Sequence, residues 1–500
     1  MRRSRASDPP GARAHRWLAP LWSLALAGCA LKTPPTQPEV LQQALPTTTT
    51  VRPTWAAASA AAGDVTNDWV SSFDDPGLVA VVVEAVANNP DVRQAAARVS
   101  IARQSAVVVG AALKPQVGGQ FGFAGTKISG DSSAAWAGHA TASVSWEIDV
   151  WGKLRAQRAA AQANYDATAL DFAFAIQSLA ATTAESWYLT IETLQLVQLA
   201  RQAVTIYTGL LDLVKVKRAA GRVSDLDVAE ASANLSTAQS QLQQAEALYA
   251  EARRGLETLL GRYPAAELEV ADSFTALPPA VPAGLPSELL ERRPDLLAAE
   301  RQVLAAFRQQ EAAKLSLLPS FSLNFLAGLV ANPALVANPI FSVLNLNPWL
   351  AHGLVGMSVP FYQGGRLQAQ VRIASAEQEQ AIARYGGVVL TAFREVENAL
   401  NNEWVLSQRL TWDERALADR TEAVRIGTIR YEAGSIDLLF VLLLQADQLS
   451  SQAGVIRIRT AQRTNRIQLH LALGGGFDSI PAAALVAPPP SAMQPAVPPQ

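Results

Sequence analysis

The run His139-Ala140-Thr141-Ala142-Ser143-Val144-Ser145-Trp146-Glu147-Ile148-Asp149-Val150 alternates without a break, apolar at every even position and polar at every odd one. A period of two sends successive side chains to opposite faces of an extended chain, so the stretch reads as a β-strand with one apolar face. Three further runs share the pattern. Val117, Gly119, Phe121 and Phe123 alternate with Gly118, Gln120, Gly122 and Ala124; Phe321, Leu323, Phe325, Ala327 and Leu329 lie opposite a mostly polar face; Val355, Met357, Val359 and Phe361 share a fourth face. Each run is about ten residues long, the length that a tilted strand needs to cross a bilayer. A half-buried soluble hairpin has the same alternation, but the common length of all four runs favours a membrane. Four strands cannot close a barrel, and lipid does not tolerate an open sheet edge. Copies of the chain must then join, a requirement that does not by itself choose three copies over two or four.

The strands come in two pairs because the chain is repeated. Pro90-Asp91 opens an apolar-periodic run that closes on Pro115, and Pro294-Asp295 opens one that closes on Pro319, 204 residues later. Gly152-Lys153-Leu154-Arg155-Ala156-Gln157 recurs as Gly365-Arg366-Leu367-Gln368-Ala369-Gln370, and Lys217-Arg218-Ala219-Ala220-Gly221 as Arg430-Tyr431-Glu432-Ala433-Gly434, both 213 residues on. A unit this long means pseudo-symmetry within one architecture rather than a solenoid. Around the strands the chain reads as helical. Lys153 to about Lys217 holds no proline and one glycine, Gly209, and one helix over it would span about 97 Å. The shorter helices Asp91 to Pro115 and Asp225 to about Gly261 together reach about 92 Å. The second half repeats the match, with Arg366 to about Tyr431 against Asp295 to Leu318 plus Ile436 to Leu473. Gly386-Gly387 predicts a kink in the second long helix. A coiled-coil rod accounts for the helices alone but not for the strands inserted at one end of each helix pair.

The N-terminus is basic (Arg2, Arg3, Arg5, Arg13, Arg16), then mostly apolar up to Leu26-Ala27-Gly28-Cys29. That is the plan of a secretory signal, too short to span a bilayer. Removing it takes away five arginines and one aspartate and leaves a charge of about −6. Nucleic acid is excluded as a partner by the lack of basic clusters. Cys29 is the only cysteine, so no intrachain disulfide can form. The four histidines (His15, His139, His352, His470) are not at metal-ligand spacing. No cofactor loop or nucleophile elbow is present, so the chain reads as no enzyme. Gly474-Gly475-Gly476 reads as a helix stop.

Taken together these segments resemble the outer-membrane factor family, the TolC-like efflux channels, and within it the lipoprotein branch. The resemblance is carried by Leu26-Ala27-Gly28-Cys29 as a lipobox, Asn67-Asp68-Trp69 with Phe73 to Leu78, Asn89-Pro90-Asp91, Ser145-Trp146-Glu147-Ile148-Asp149 leading to Gly152-Lys153-Leu154-Arg155, Leu290-Glu291-Arg292-Arg293-Pro294-Asp295, Pro360 to Leu367, Arg430-Tyr431-Glu432-Ala433-Gly434, and Leu471 to Gly476. It implies an α+β membrane protein: a homotrimer with a twelve-stranded outer-membrane β-barrel, four strands per chain, continued by a long periplasmic α-helical barrel. It further implies acylation of Cys29, retention in the outer membrane, a periplasmic adaptor, an inner-membrane exporter of the RND type, and passive export of drugs or other small molecules. Two rival readings are a structural coiled-coil lipoprotein of the periplasm and a substrate-specific outer-membrane porin.

The layout expected is a signal peptide over 1–28, a lipid-anchored flexible tether over 29–64, a first repeat over 65–285 with strands at about 116–125 and 139–150, a second over 286–477 with strands at about 320–329 and 353–361, and a disordered tail over 478–500. By strand parity Glu147 and Asp149 face the lumen, and Trp146 and Trp151 suit an aromatic girdle. The apolar segment from about Ala331 to Leu350 reads as a plug, a contact with lipopolysaccharide, or a packing surface between copies. Gly221 and Gly434 end the long helices. The resemblance makes Lys217, Arg218, Gly221, Arg430, Tyr431 and Gly434 turns that meet the adaptor, and places Asp419, Glu422 and Arg425 at the aperture.

Overall fold

The computed structural model describes residues 31–57, 68–127, 134–331 and 349–476. The signal peptide, Cys29, residues 58–64 of the tether, most of the apolar 331–350 segment and the 478–500 tail lie outside the described residues. The protein is mostly helical with one small antiparallel sheet. In chain order the elements are α1 (Gln37–Ala44), a short 3-10 turn (Ser71–Phe73), α2 (Pro76–Asn88), α3 (Pro90–Ala111), β1 (Gln116–Lys127), β2 (Ala134–Ile148), α4 (Lys153–Ala219), α5 (Asp225–Leu259), α6 (Pro286–Arg292), α7 (Pro294–Leu315), β3 (Ser320–Ala331), β4 (Trp349–Ser358), α8 (Arg366–Glu432) and α9 (Leu438–Ala472). The repeat is carried to the residue: α3 and α7 each have 22 residues, α4 and α8 each 67, α5 and α9 each 35.

The compact units cut across that repeat. Among the described residues one gathers 31–46, 100–127, 134–168, 299–331 and 349–386, and the other 47–57, 68–99, 169–298 and 387–476. In the first, the sheet runs β1-β2-β3-β4, so its central pairing, β2 with β3, joins the two repeats. Its helical part has a core of small residues, with Ala156, Ala160, Ala163 and Ala167 on α4 and Ala305 and Ala312 on α7 all buried. Small side chains let helix axes approach closely.

Within the segment expected to be a flexible tether, the described residues 31–57 make specific contacts. Arg308 and Glu311, themselves paired at 2.8 Å, take both backbone groups of Lys32: its N–H donates to Glu311 Oε1 at 2.7 Å and its carbonyl accepts from Arg308 Nη1 at 2.7 Å. α1 buries Val40. Its last residue also explains one glycine of the α8 pair: a Cβ on Gly386 would lie 2.3 Å from the carbonyl oxygen of Ala44, while one on Gly387 would meet nothing within 4 Å. The helix runs unbroken from Arg366 to Glu432, so this glycine serves a close backbone approach rather than a kink. In the second unit Trp55 is buried, stacks edge-on against Phe393 and donates to the carbonyls of Ala283 and Gly284. A low-charge Pro, Thr and Ala composition carries Val40, Leu45 and Trp55, and all three are buried.

The second unit has the larger apolar core, built on Trp69, Phe73, Leu78, Trp187, Tyr188, Leu256 and Ile467. Asp75 caps α2 through the Leu78 N–H at 3.1 Å and accepts the Trp187 indole N–H at 2.9 Å, so one buried carboxylate satisfies two donors. Two buried arginines of α9 tie down the connection that follows α5. Arg466 pairs with Glu403 and donates to the carbonyls of Pro278, at 2.7 Å, and Pro279. Arg463 donates to the Thr275 carbonyl and covers the Phe274 ring at 4.4 Å. Burial pulls the Arg463 guanidinium down to about 10 and, with the nearby charge of Arg466, holds the His470 imidazole down at about 3.

Candidate functional site

The register of the sheet joins four local alternations into two continuous faces. Val117 pairs with Val144, Val144 with Phe325, and Phe325 with Gly353; Trp146 pairs with Leu323, and Leu323 with Val355; Phe121 pairs with Ala140, and Ala140 with Leu329. Directly paired residues lie on one side of a sheet, so one face is apolar across all four strands. The other carries Gln116, Gln120, Thr141, Ser143, Ser145, Ser322, Asn324 and His352, with Leu326 and Leu354 as apolar intrusions. A one-residue slip at any pairing would break both faces. Among the described residues the apolar face has no cover: Phe121 is 85 % and Val355 74 % exposed. Removing side chains of this size from water stabilises by about 1.5–3 kcal/mol each, so the face needs an apolar surrounding. β1 and β4 each keep one unpaired edge.

Where strands meet helices, two indoles hold the chain. Trp146 Nε1 donates to the Leu113 carbonyl at 3.0 Å, and Trp151 Nε1 to that of Pro319 at 2.7 Å. Each satisfies a carbonyl in the turn between a helix end and a strand, and both rings stay partly exposed, as a girdle residue requires. Glu147 pairs with Ser322 on the polar face, and its carboxylate meets Lys153 Nζ at 2.5 Å. Asp149 lies one residue past the end of β2, so strand parity does not govern it. Its carboxylate accepts the backbone N–H groups of Leu154 and Arg155 and the Arg155 Nε, each at 3.0 Å. Asp149 thus caps the start of α4 from just before it, where helix N–H groups lack partners.

The two turns after the long helices share one backbone. The Gly221 N–H reaches the Arg218 carbonyl and the Arg222 N–H that of Lys217; the Gly434 N–H reaches Tyr431 and the Ser435 N–H reaches Arg430. Both are Schellman closures, with φ +68° at Gly221 and +76° at Gly434. Their side chains differ. In the first, Arg218 meets Asp225 at 2.6 Å, and Ser224 and Asp227 cap α5 reciprocally. The Arg218 hydrogen bond and charge lower the Asp225 carboxyl, and the Ser224 hydroxyl and N–H lower that of Asp227. In the second, Asp437 precedes α9 without a side-chain cap bond. Lys217 and Tyr431, read from sequence as docking residues, are engaged with each other: Lys217 Nζ lies 3.7 Å from the buried Tyr431 ring and donates to the Tyr431 carbonyl at 2.8 Å. They join the two turns, while Arg218, Arg430, Gly221 and Gly434 stay exposed.

Of the residues expected at the aperture, Glu422 and Arg425 pair at 2.7 Å on an exposed face of α8, which holds the Glu422 carboxyl low; Asp419 is exposed on the same helix. The sequence reading passed over Leu439, Phe440 and Leu443, which are exposed just past the second turn. The signal was present in the uninterrupted apolar run Leu438 to Leu444, since a helix apolar all round has more apolar surface than one neighbour can cover. At the equivalent places of the first turn stand Leu226, Asp227 and Glu230.

The profile of the outer membrane efflux protein family matches residues 81–262 and 285–475, one segment for each repeat. The chain is 32 % identical over 437 residues to the pyoverdine export outer membrane protein OpmQ of Pseudomonas aeruginosa, covering 85 % of this chain and 90 % of that one. It is 25 % identical over 411 residues to the probable outer membrane lipoprotein SilC of Salmonella typhimurium, covering 82 % of this chain and 88 % of that one. Among solved structures, the outer-membrane channel OprN superposes with a TM-score of 0.76 at 26 % identity, covering 86 % of this chain and 98 % of that one. A two-faced four-stranded sheet, paired long helices and a match in both repeats lead to one conclusion: the chain belongs to the outer membrane efflux protein family and is an outer-membrane efflux channel.

Proposed function

We propose that three copies close a twelve-stranded barrel whose apolar face meets lipid and whose polar face lines a water-filled exit, continued into the periplasm by the long helices. The observation that carries this reading is the continuous apolar face bounded by two unpaired edge strands: lipid accepts the face but not the edges. The duct is passive and performs no catalysis. Small molecules reach it from an inner-membrane exporter, of the RND type, through a periplasmic adaptor that docks at the turns holding Gly221 and Gly434. The exposed Leu439, Phe440 and Leu443 beside the second turn support a contact there. The aperture is assigned to Asp419, Glu422 and Arg425, the functional repeats to 65–285 and 286–477, and the leader to 1–28. Acylation of Cys29 anchors the N-terminus in outer-membrane lipid. Leu31 supports that placement, since its Cδ2 lies 3.5 Å from where a Cβ of Gly152 would stand, next to Trp151 in sequence.

Native mass spectrometry in detergent tests the assembly. The expected mass is that of three mature chains, and a stable monomer would remove the barrel. Radioactive fatty acid should label the native chain and leave Cys29→Ser unlabelled; equal labelling would remove the anchor.

A further inference from the structure

The two ion pairs at the start of α4 have unequal counterparts at the start of α8. Glu147 meets Lys153 at 2.5 Å, and Asp149 meets Arg155 at 3.0 Å. At the repeat offset of 213 residues the Asp149 and Arg155 pair becomes Tyr362 and Gln368, so both charges are gone together. The Glu147 and Lys153 pair becomes Pro360 and Arg366, so the acid is gone and the cation is kept. Among the described residues the Arg366 guanidinium meets no carboxylate and donates only to the amide oxygens of Gln363 and Gln370. Neutral acceptors leave its charge uncompensated. That charge borders a cavity of about 180 Å³ between strand ends and helix ends of the first unit, room for one small acid group and its water. Ser316, Ser320, Ser358 and Lys153 line the same cavity. Glu147 and Asp149 line it too, but each is matched by its own cation, so the cavity keeps a net positive charge. By register Glu147, Ser320 and Ser358 belong to the polar face of the sheet. The backbone of α8 adds little, since the Arg366 N–H already reaches the Gln363 carbonyl at 3.1 Å and the Ala369 N–H that of Gly365 at 3.0 Å.

We propose that this cavity is a transit site for carboxylate groups of solutes in the exit duct, with Arg366 as the residue that binds them. A guanidinium presents parallel N–H groups at the spacing of two carboxylate oxygens, and the serine hydroxyls can donate to the same anion without adding charge. The occupant is a solute from the exit because three of the lining residues lie on the face read as lining water, opposite the apolar face read as meeting lipid. Arg366 is exposed, as a group that meets a passing solute must be. Binding at such a site is weak, and a duct requires this, since a solute that enters must also leave. The inference rests on the exit-duct reading and adds to it a preference for acidic solutes.

Arginine labelling with phenylglyoxal, read peptide by peptide by mass spectrometry on the detergent-purified protein, tests this without requiring the channel to open. Benzoate near saturation should slow the labelling of Arg366 about tenfold and leave the exposed Arg372 unchanged. The neutral analogue benzamide should protect neither. Pro360→Glu restores the acid of the first repeat and should abolish the protection, whereas Pro360→Gln should keep it. In planar bilayers Arg366→Gln should lower the permeability of benzoate relative to potassium about threefold, read from the reversal potential, and Arg366→Lys should restore part of it. Equal labelling with and without benzoate, or an Arg366 that phenylglyoxal never reaches, overturns the inference. Protection by dispersed phosphatidylglycerol but not by benzoate makes the site one for a lipid headgroup and overturns it too. An unchanged reversal potential in Arg366→Gln overturns the preference for acidic solutes. A monomeric mass in native mass spectrometry removes the duct reading itself, whatever the labelling gives.

Discussion

The starts of α4 and α8 are equivalent in sequence and unlike in chemistry. Both are immediately preceded by a glycine with positive φ, Gly152 and Gly365, and both continue for 67 residues. Yet Asp149 holds the first N–H groups of α4, and at its place before α8 stands Tyr362, 88 % exposed. The far ends of the return helices diverge in the same way. Arg466 of α9 is buried on Glu403 and two proline carbonyls, while its counterpart Arg253 of α5 is half-buried and donates to the Leu268 carbonyl. His470 is matched by Glu257, whose carboxylate takes three backbone N–H groups, of Ala266, Glu267 and Leu268. Duplication preserved element lengths and turns. Side chains changed wherever the two copies met different neighbours.

The sharpest way to break this comparison is at the arginines. Arg466→Met takes the main partner from the partly buried Glu403 and the donor from two proline carbonyls, and should destabilise the fold by about 3 kcal/mol. Arg253→Met should cost about 1.5 kcal/mol, the worth of one partly exposed hydrogen bond from a charged group. Denaturant midpoints read both, and equal losses would mean that the repeats are equivalent here after all. Next come the helix starts. Asp149→Ala should cost about 2–3 kcal/mol through lost charge-assisted bonds, whereas Tyr362→Ala should stay within about 0.5 kcal/mol.

His470 offers a test by pH. Its imidazole is held at about 3 by burial and the Arg466 charge, below the ordinary value of 6.5. The unfolded chain therefore binds a proton that the folded chain refuses. The stability from this group is complete above pH 6.5 and is lost as pH falls towards 3, by about 2 kcal/mol between pH 6.5 and 5. His470→Leu should reduce the fall in unfolding temperature over that range relative to the native chain. Burial opposes the charge on Glu257, but its three N–H donors and Arg253 hold the carboxyl below its ordinary value, so its contribution is lost only at lower pH.

The smallest difference between the copies belongs to the turns, where they agree. Gly221→Leu and Gly434→Leu each force a left-handed side chain and should cost about 1–2 kcal/mol alike. Trimers should persist while adaptor cross-linking and export weaken. Normal export by the double variant would remove the docking proposal.

Sequence alone was enough wherever the physics is local. Alternation over Ala140 to Ile148 sets which side chains share a face, and the absence of proline from α4 and α8 permits their length. Gly221 and Gly434 mark the ends of those helices because each turn needs a residue without a Cβ. The tertiary structure alone decided what depends on distant partners. It set the pairing of β2 with β3 across the repeats, which aligns four separate alternations into one face. It placed Asp149 at a helix start, paired Lys217 with Tyr431, brought Ala44 against Gly386, and gave residues 31–57 specific contacts within a segment whose composition reads as a loose tether. In each case the residue's own neighbours in sequence are compatible with more than one role, and only the group that folding brings against it selects which interaction stabilises the protein.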